Sequence, residues 1–193
     1  MENDGLVIAS GNLATARRTI TGVLGQLMLL NVSDRAALAI FTDAGLPARA
    51  LEEPDFPISL DQELLICLGL ARQLGERSPA RVFFGVAEHT GIENLGVLGM
   101  AMLHAATTID ALKVCLTYPQ LTWGHCRMVV RRQAEASVFS FAMHRPVMRD
   151  VSAQDIDKLV EYCTVLDLVT SMRNIEDIVA SGQPPRYINF PFP

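Results

Sequence analysis

The chain lacks several features that would assign it quickly. It has no run of 18 consecutive apolar residues, so no membrane span is expected. It is short of positive charge, with 16 Lys and Arg against 21 Asp and Glu, a net charge of −5 at pH 7. Gripping phosphates takes clustered cations, so this stretch is not expected to hold nucleic acid by itself. The start, Met1-Glu2-Asn3-Asp4, is acidic where a secretory signal is basic, which points to a cytoplasmic protein. There is no Gly-x-Ser-x-Gly elbow and no Ser or Cys in a recognisable catalytic frame, so an enzyme is not expected. Gly91 and Gly96 have P-loop spacing without the Lys-Ser/Thr that follows one, and Gly96-x-x-Gly99 is not a dinucleotide fingerprint. His89, His104, His125 and His144 and the cysteines Cys67, Cys115, Cys126 and Cys163 are scattered. No pair has zinc-knuckle spacing, and adjacent His125 and Cys126 point to opposite faces of a strand. No metal and no cofactor is therefore expected, and the thiols are read as buried and free in a reducing compartment. Internal repeats and low-complexity tracts are missing too.

What is present is apolar. Half of the 193 residues are hydrophobic, enough for one domain with a sizeable core and too short for two ordinary ones. Residues 1–10 carry little pattern and are expected to be loosely ordered. Leu13–Leu30 repeats at helical spacing, with Gly22 and Gly25 explained by close packing against another helix. Ser33-Asp34 caps a short helix through Phe41, ended by Gly45 and Pro47. Ser59 caps a strong helix through Gln73, stopped by Gly75. Arg81–Ala87 (RVFFGVA) is β-branched and aromatic and reads as a strand or as a buried connecting segment. From Cys126 the pattern switches to period two, and a hairpin is expected over Arg127–Met143 with its turn at Ala134-Glu135-Ala136. Ser152 caps a long helix from Gln154 to about Val179, closed by Gly182 and Pro184. It is greasy on several faces, which makes it central in the domain or, alternatively, a dimer seam. The expected fold is a single α+β domain, helices packed around a small, mainly antiparallel sheet.

The densest pattern is Leu95–Tyr118. Gly96 and Gly99 sit where a helix begins and needs close backbone approach. Val97, Leu98, Ala101, Met102 and Ala105 recur at helical spacing. Thr107 caps a second helix with Asp110 in its first turn, and Ile109, Leu112, Val114 and Cys115 form its apolar face. As a block, Gly96-Val97-Leu98-Gly99 followed by Thr108-Ile109-Asp110-Ala111-Leu112 resembles the middle of the N-terminal effector-sensing domain in one branch of AraC-type bacterial transcription regulators. Ala44-Gly45-Leu46-Pro47, the acidic turn Glu52-Glu53-Pro54-Asp55 and Ile58-Ser59 resemble the stretch ahead of that block. Pro185–Phe190 resembles a strand behind the long helix. The resemblance runs from about Asp34 to Phe190 and implies a small-molecule-sensing domain over residues 11–193, normally fused to a C-terminal double helix-turn-helix that binds DNA and often a homodimer. It also implies that the chain is truncated. Met100 and His104 depart from the residues common in the family.

The candidate effector-binding residues are Tyr118, Trp123, His125, Arg127, Arg131, His144 and His104, an aromatic and basic set around the second helix end and the hairpin. An Arg there suits a carboxylate ligand through a bidentate contact. The bland alternatives are a solvated strand face for Arg127 and Arg131 and a core anchor for Trp123. A stand-alone carrier or enzyme for a hydrophobic metabolite, or a dimerisation module without a ligand, are the competing functions.

Overall fold

The computed structural model describes residues 7–9, 18–87, 91–118, 124–133 and 136–179. Among them are seven α-helices, two 3-10 turns and five strands in two antiparallel sheets, a single α+β domain as expected. In chain order the elements are β1 (Val7–Ala9), β2 (Arg18–Thr19), α1 (Thr21–Leu29), α2 (Asp34–Asp43), β3 (Pro57–Ile58), α3 (Leu60–Leu74), α4 (Pro79–Ala87), α5 (Val97–Leu103), α6 (Thr108–Thr117), β4 (Arg127–Gln133), β5 (Ala136–Ala142) and α7 (Ala153–Ile178). The 3-10 turns are Ala48–Leu51 and Ile92–Leu95.

The helix starts follow local chemistry. Each of four helices begins after a hydroxyl residue in extended conformation whose side-chain oxygen accepts an orphan backbone N–H. Ser33 accepts from Ala36, Ser59 from Gln62, Thr107 from Asp110 and Ser152 from Asp155. At Ser59 the Gln62 side chain returns the favour to the Ser59 N–H, a full capping box. Gly75 ends α3 at φ +62°, a left-handed conformation that glycine adopts without a Cβ clash.

Three expectations need correcting. Arg81–Ala87 is helix α4, neither strand nor loop. Pro79 supplies a first helical position that needs no N–H. The apolar residues serve packing: Phe83 is buried with its ring edge-on to Tyr162, centroids 5.0 Å apart. The first helix starts at Thr21, because Arg18-Thr19 pairs with Pro57-Ile58 as β2–β3. Gly25 is exposed and has nothing near a hypothetical Cβ, so close packing does not explain it. In addition, Val7–Ala9, inside the stretch expected to be loose, pairs antiparallel with Val129–Arg131 of β4. Of the expected hairpin turn, Ala134 and Glu135 lie outside the described residues, as do the stop at Gly182 and Pro184 and the strand at 185–190, while Ala136 is not turn but the first residue of β5, paired with Gln133.

The hairpin β4–β5 forms in the register Arg127 with Ala142 through Gln133 with Ala136, which puts Met128 and Val130 on its buried face. Helix α7 is central: it packs on α3 and α4 and also reaches β5. Its first half buries Leu159, Tyr162, Cys163 and Val165 in the main core with α1 to α4. Two smaller apolar clusters stand apart from that core. One joins Ile92, Leu98, Met102 and Ala111; the other joins Leu116, Met128 and Val130.

Candidate functional site

Two features of the interior are unusual. The first is a polar cluster in the middle of the main core. Helix α3 brings Glu63 and Cys67, one turn apart on one face. Helix α7 brings Cys163, Thr164 and Asp167. Strand β2 brings Arg18, and the segment entering β4 brings His125 and Cys126. Arg18 and Glu63 side chains are 2% and 1% exposed and form an ion pair. A second guanidinium nitrogen of Arg18 donates to the Gly124 carbonyl at 2.9 Å. The Glu63 Oε1 atom lies 3.3 Å from His125 Nε2. On the other side of the ring, His125 Nδ1 is 3.1 Å from Asp167 Oδ1, and Asp167 Oδ2 accepts the backbone N–H groups of both His125 and Cys126 at 2.6 Å. Cys67 Sγ sits 3.7 Å from His125 Nε2. All four cysteines are free, as the sequence suggested.

The charges in this cluster hold one another in place. A hydrogen bond from Cys163 and the positive charge of His125 bring the Cys67 thiol down to about 6, against the opposing push of burial. Burial works against a charged His125, but the negative charges of Cys67 and Asp167 outweigh it and raise His125 well above the ordinary imidazole value. Burial pushes Cys163 well above the usual thiol value. Cys115, away from the cluster, rises to about 11 through burial alone. The Cys67–His125–Asp167 order is that of a nucleophile, its base and the base's orienting carboxylate. Both Cys67 and the His125 side chain are shut inside, at 0% and 1% exposure.

The second feature is a small cleft of about 20 Å³ lined by Met102, Leu112, Cys115, Met128, Ser171, Asn174 and Ile175. It lies where α5, α6, β4 and the second half of α7 meet. The walls are apolar apart from Ser171 and Asn174. Asn174 is buried, yet its Oδ1 has no hydrogen-bond partner, a group that costs stability unless something else satisfies it. None of the seven lining residues belongs to the polar cluster.

The residues expected at an effector site are dispersed. His125 is the core histidine just described. Tyr118 is half exposed at the end of α6, and Arg127, Arg131 and His144 are exposed. His104 is exposed too and caps α5, with Nδ1 2.8 Å from the Met100 carbonyl. Trp123 lies outside the described residues. None of the described six lines the cleft.

Comparison with known proteins settles the class. The model of the arabinose-binding domain found N-terminally in AraC transcription regulators matches residues 35–193. The chain belongs to this AraC effector-binding domain family. The match spans nearly the whole stretch singled out by the sequence, and the Gly96–Leu112 block lies in its middle. No curated protein and no solved structure matches the chain significantly. An AraC-type domain of this family is a ligand-sensing regulatory module rather than a catalyst, and no described helix here is long and apolar enough to cross a membrane. The polar cluster ties α3, α7, β2 and the entry of β4 into one unit, and the cleft lies apart from it.

Proposed function

We propose that this domain senses a small, largely apolar effector in the cleft between α5, α6, β4 and α7, and passes its occupancy to an attached DNA-binding domain. The observation that carries the reading is the orphaned Asn174 Oδ1 in a wall that is apolar except for it and Ser171. It selects a guest with an N–H or O–H donor, because leaving that acceptor unpaired costs about 1–3 kcal/mol. The space as it stands, about 20 Å³, holds about one water molecule and is far below the roughly 300 Å³ at which drug-sized ligand pockets begin, so a guest enters only as α5 and α6 move outward. Such a movement has a path. Asp167, Ser171 and Asn174 follow one another along one face of α7, and the Asp177 carboxylate accepts the Ile92 N–H at 2.9 Å, tying the end of α7 to the α5–α6 unit. A ligand that favours one arrangement of α7 and α5–α6 shifts the population toward it, and DNA affinity with it. The reading takes the regulator as a cytoplasmic homodimer, in keeping with its family.

A thermal-shift screen of organic acids, amino acids and fatty acids tests this. A specific effector at 100 times its Kd stabilises by about 2.7 kcal/mol, a rise of roughly 5–10 °C for a chain of this length. Met102→Trp, which fills the cleft, is expected to abolish the rise. A compound whose shift survives Met102→Trp undiminished binds elsewhere and defeats the assignment.

A second reading, an enzyme using Cys67, draws on the Cys67–His125–Asp167 relay. It makes an opposite forecast for native alkylation. A working nucleophile with a thiol near 6 reacts first with iodoacetamide at neutral pH. The burial of Cys67 predicts that it stays unmodified in the folded protein and reacts only on denaturation. Peptide mapping by mass spectrometry distinguishes the two.

A further inference from the structure

The centre of the main core gathers three ligand-type atoms from remote parts of the chain. Cys67 Sγ, a ring nitrogen of His125 and Cys163 Sγ all lie within 4.8 Å of one another, and Cys67 Sγ is 3.7 Å from His125 Nε2. No zinc-knuckle spacing announces them, because α3, the entry of β4 and α7 each contribute one. We propose that they form a Cys-His-Cys site for a thiophilic divalent cation, Zn²⁺, with Glu63 Oε1 at the fourth corner. This assignment is independent of the effector reading.

Two edges of the group match those of a zinc tetrahedron. With Zn–S near about 2.3 Å and Zn–N and Zn–O near about 2.0 Å, its S···N edge is about 3.6 Å and its N···O edge about 3.3 Å. Cys67 Sγ to His125 Nε2 is 3.7 Å, and Glu63 Oε1 to the same nitrogen is 3.3 Å. The imidazole is already oriented. Asp167 faces Nδ1 and is itself fixed by two backbone N–H groups, so Nε2 points at the sulfurs. That carboxylate behind a ligating histidine is the usual outer support of a zinc site, fixing tautomer and ring orientation. The charges also close. Zn²⁺ with two thiolates and a neutral imidazole carries no net charge, and the remaining Glu63 charge is met by Arg18. The sulfurs bind as thiolates and the imidazole as its neutral form, so any proton these atoms hold leaves for solvent as the metal takes its place.

The test begins with the wild-type protein, purified under reducing conditions, stripped with a chelator and titrated with Co²⁺. Expected are uptake of one equivalent per chain, thiolate-to-cobalt charge-transfer absorption, tetrahedral visible bands, and displacement by one equivalent of Zn²⁺ with a rise in melting temperature. Cys67→Ser/Cys163→Ser is expected to lose the charge-transfer band, while Cys115→Ser keeps it. Asp167→Asn, a positioning change, is expected to weaken Co²⁺ by about 10- to 100-fold in chelator competition with the band shape retained. Wild-type protein that takes up no Co²⁺, or takes it up without charge-transfer absorption, overturns the proposal whether or not the variants fold. So does a band that persists in a folded Cys67→Ser/Cys163→Ser protein.

Discussion

Glu63→Leu is expected to cost about 3–5 kcal/mol of folding stability, because removing one member of a buried ion pair strands the other. The stranded group is Arg18, 2% exposed. Its Nε has no partner, and what would remain is the bond to the Gly124 carbonyl at 2.9 Å. A guanidinium is effectively always protonated, so Arg18 cannot escape by shedding its charge. His125 loses its Glu63 neighbour as well. For a chain of this length the loss corresponds to a melting temperature lower by roughly 6–20 °C. The double variant Arg18→Met/Glu63→Leu is expected to recover most of it, since apolar residues of similar volume often replace a buried pair at little cost. Urea unfolding followed by circular dichroism measures both. A Glu63→Leu protein within about 1 kcal/mol of wild type, the range of exposed pairs, would show that the two charges are not shut in together.

That cluster shows where sequence reading stops. Period and caps exposed most of the scaffold: Ser33, Ser59, Thr107 and Ser152 start the helices they were expected to start. The β4–β5 alternation was plain because one face is buried. Helix α4 was misread because Phe and Val at its positions suit a packed helix as well as a strand, and only contact with Tyr162 decides between them. Of the residues expected to contact an effector, His125 is the one described residue that joins this cluster, where it is a core histidine. Glu63 and Asp167 were missed because charged residues on amphipathic helices are usually solvated. A signal was nonetheless present. Each lies four residues from a core cysteine, Glu63 before Cys67 and Asp167 after Cys163, and so shares its buried face. Pairing two helices through an imidazole 58 residues from one of those cysteines is a tertiary fact that no local period carries. Asn174 was hidden for the same reason, since its neighbours in sequence do not reveal which face of α7 opens on the cleft.

Gly99→Ala sets two opposing effects against each other, and the structure says which wins. Helix propensity favours alanine by about 1 kcal/mol, as Gly25→Ala should show, because its Cβ would meet nothing within 4 Å. At Gly99 a Cβ would fall 2.0 Å from the Ile92 carbonyl oxygen. That oxygen belongs to a backbone held by the Ile92 N–H bond to Asp177 Oδ2 at 2.9 Å. Relief therefore requires α5 to shift or the Ile92–Asp177 tie to break, and overpacking of this severity costs about 3 kcal/mol or more. The net expectation is a destabilisation of roughly 2 kcal/mol or more, opposite in sign to the gain at Gly25, read as paired urea midpoints. The consequence extends to the cleft. Met102 follows Gly99 by one turn, and Ile92 and Met102 share a small apolar cluster, so displacement of α5 carries a cleft wall with it. Effector binding should weaken in Gly99→Ala even where the domain remains folded, whereas Gly25→Ala should leave it unchanged. Equal midpoints for wild type and Gly99→Ala would mean that α5 has freedom to move away from Ile92, and the rigid link from α7 to the α5–α6 unit would have to be abandoned.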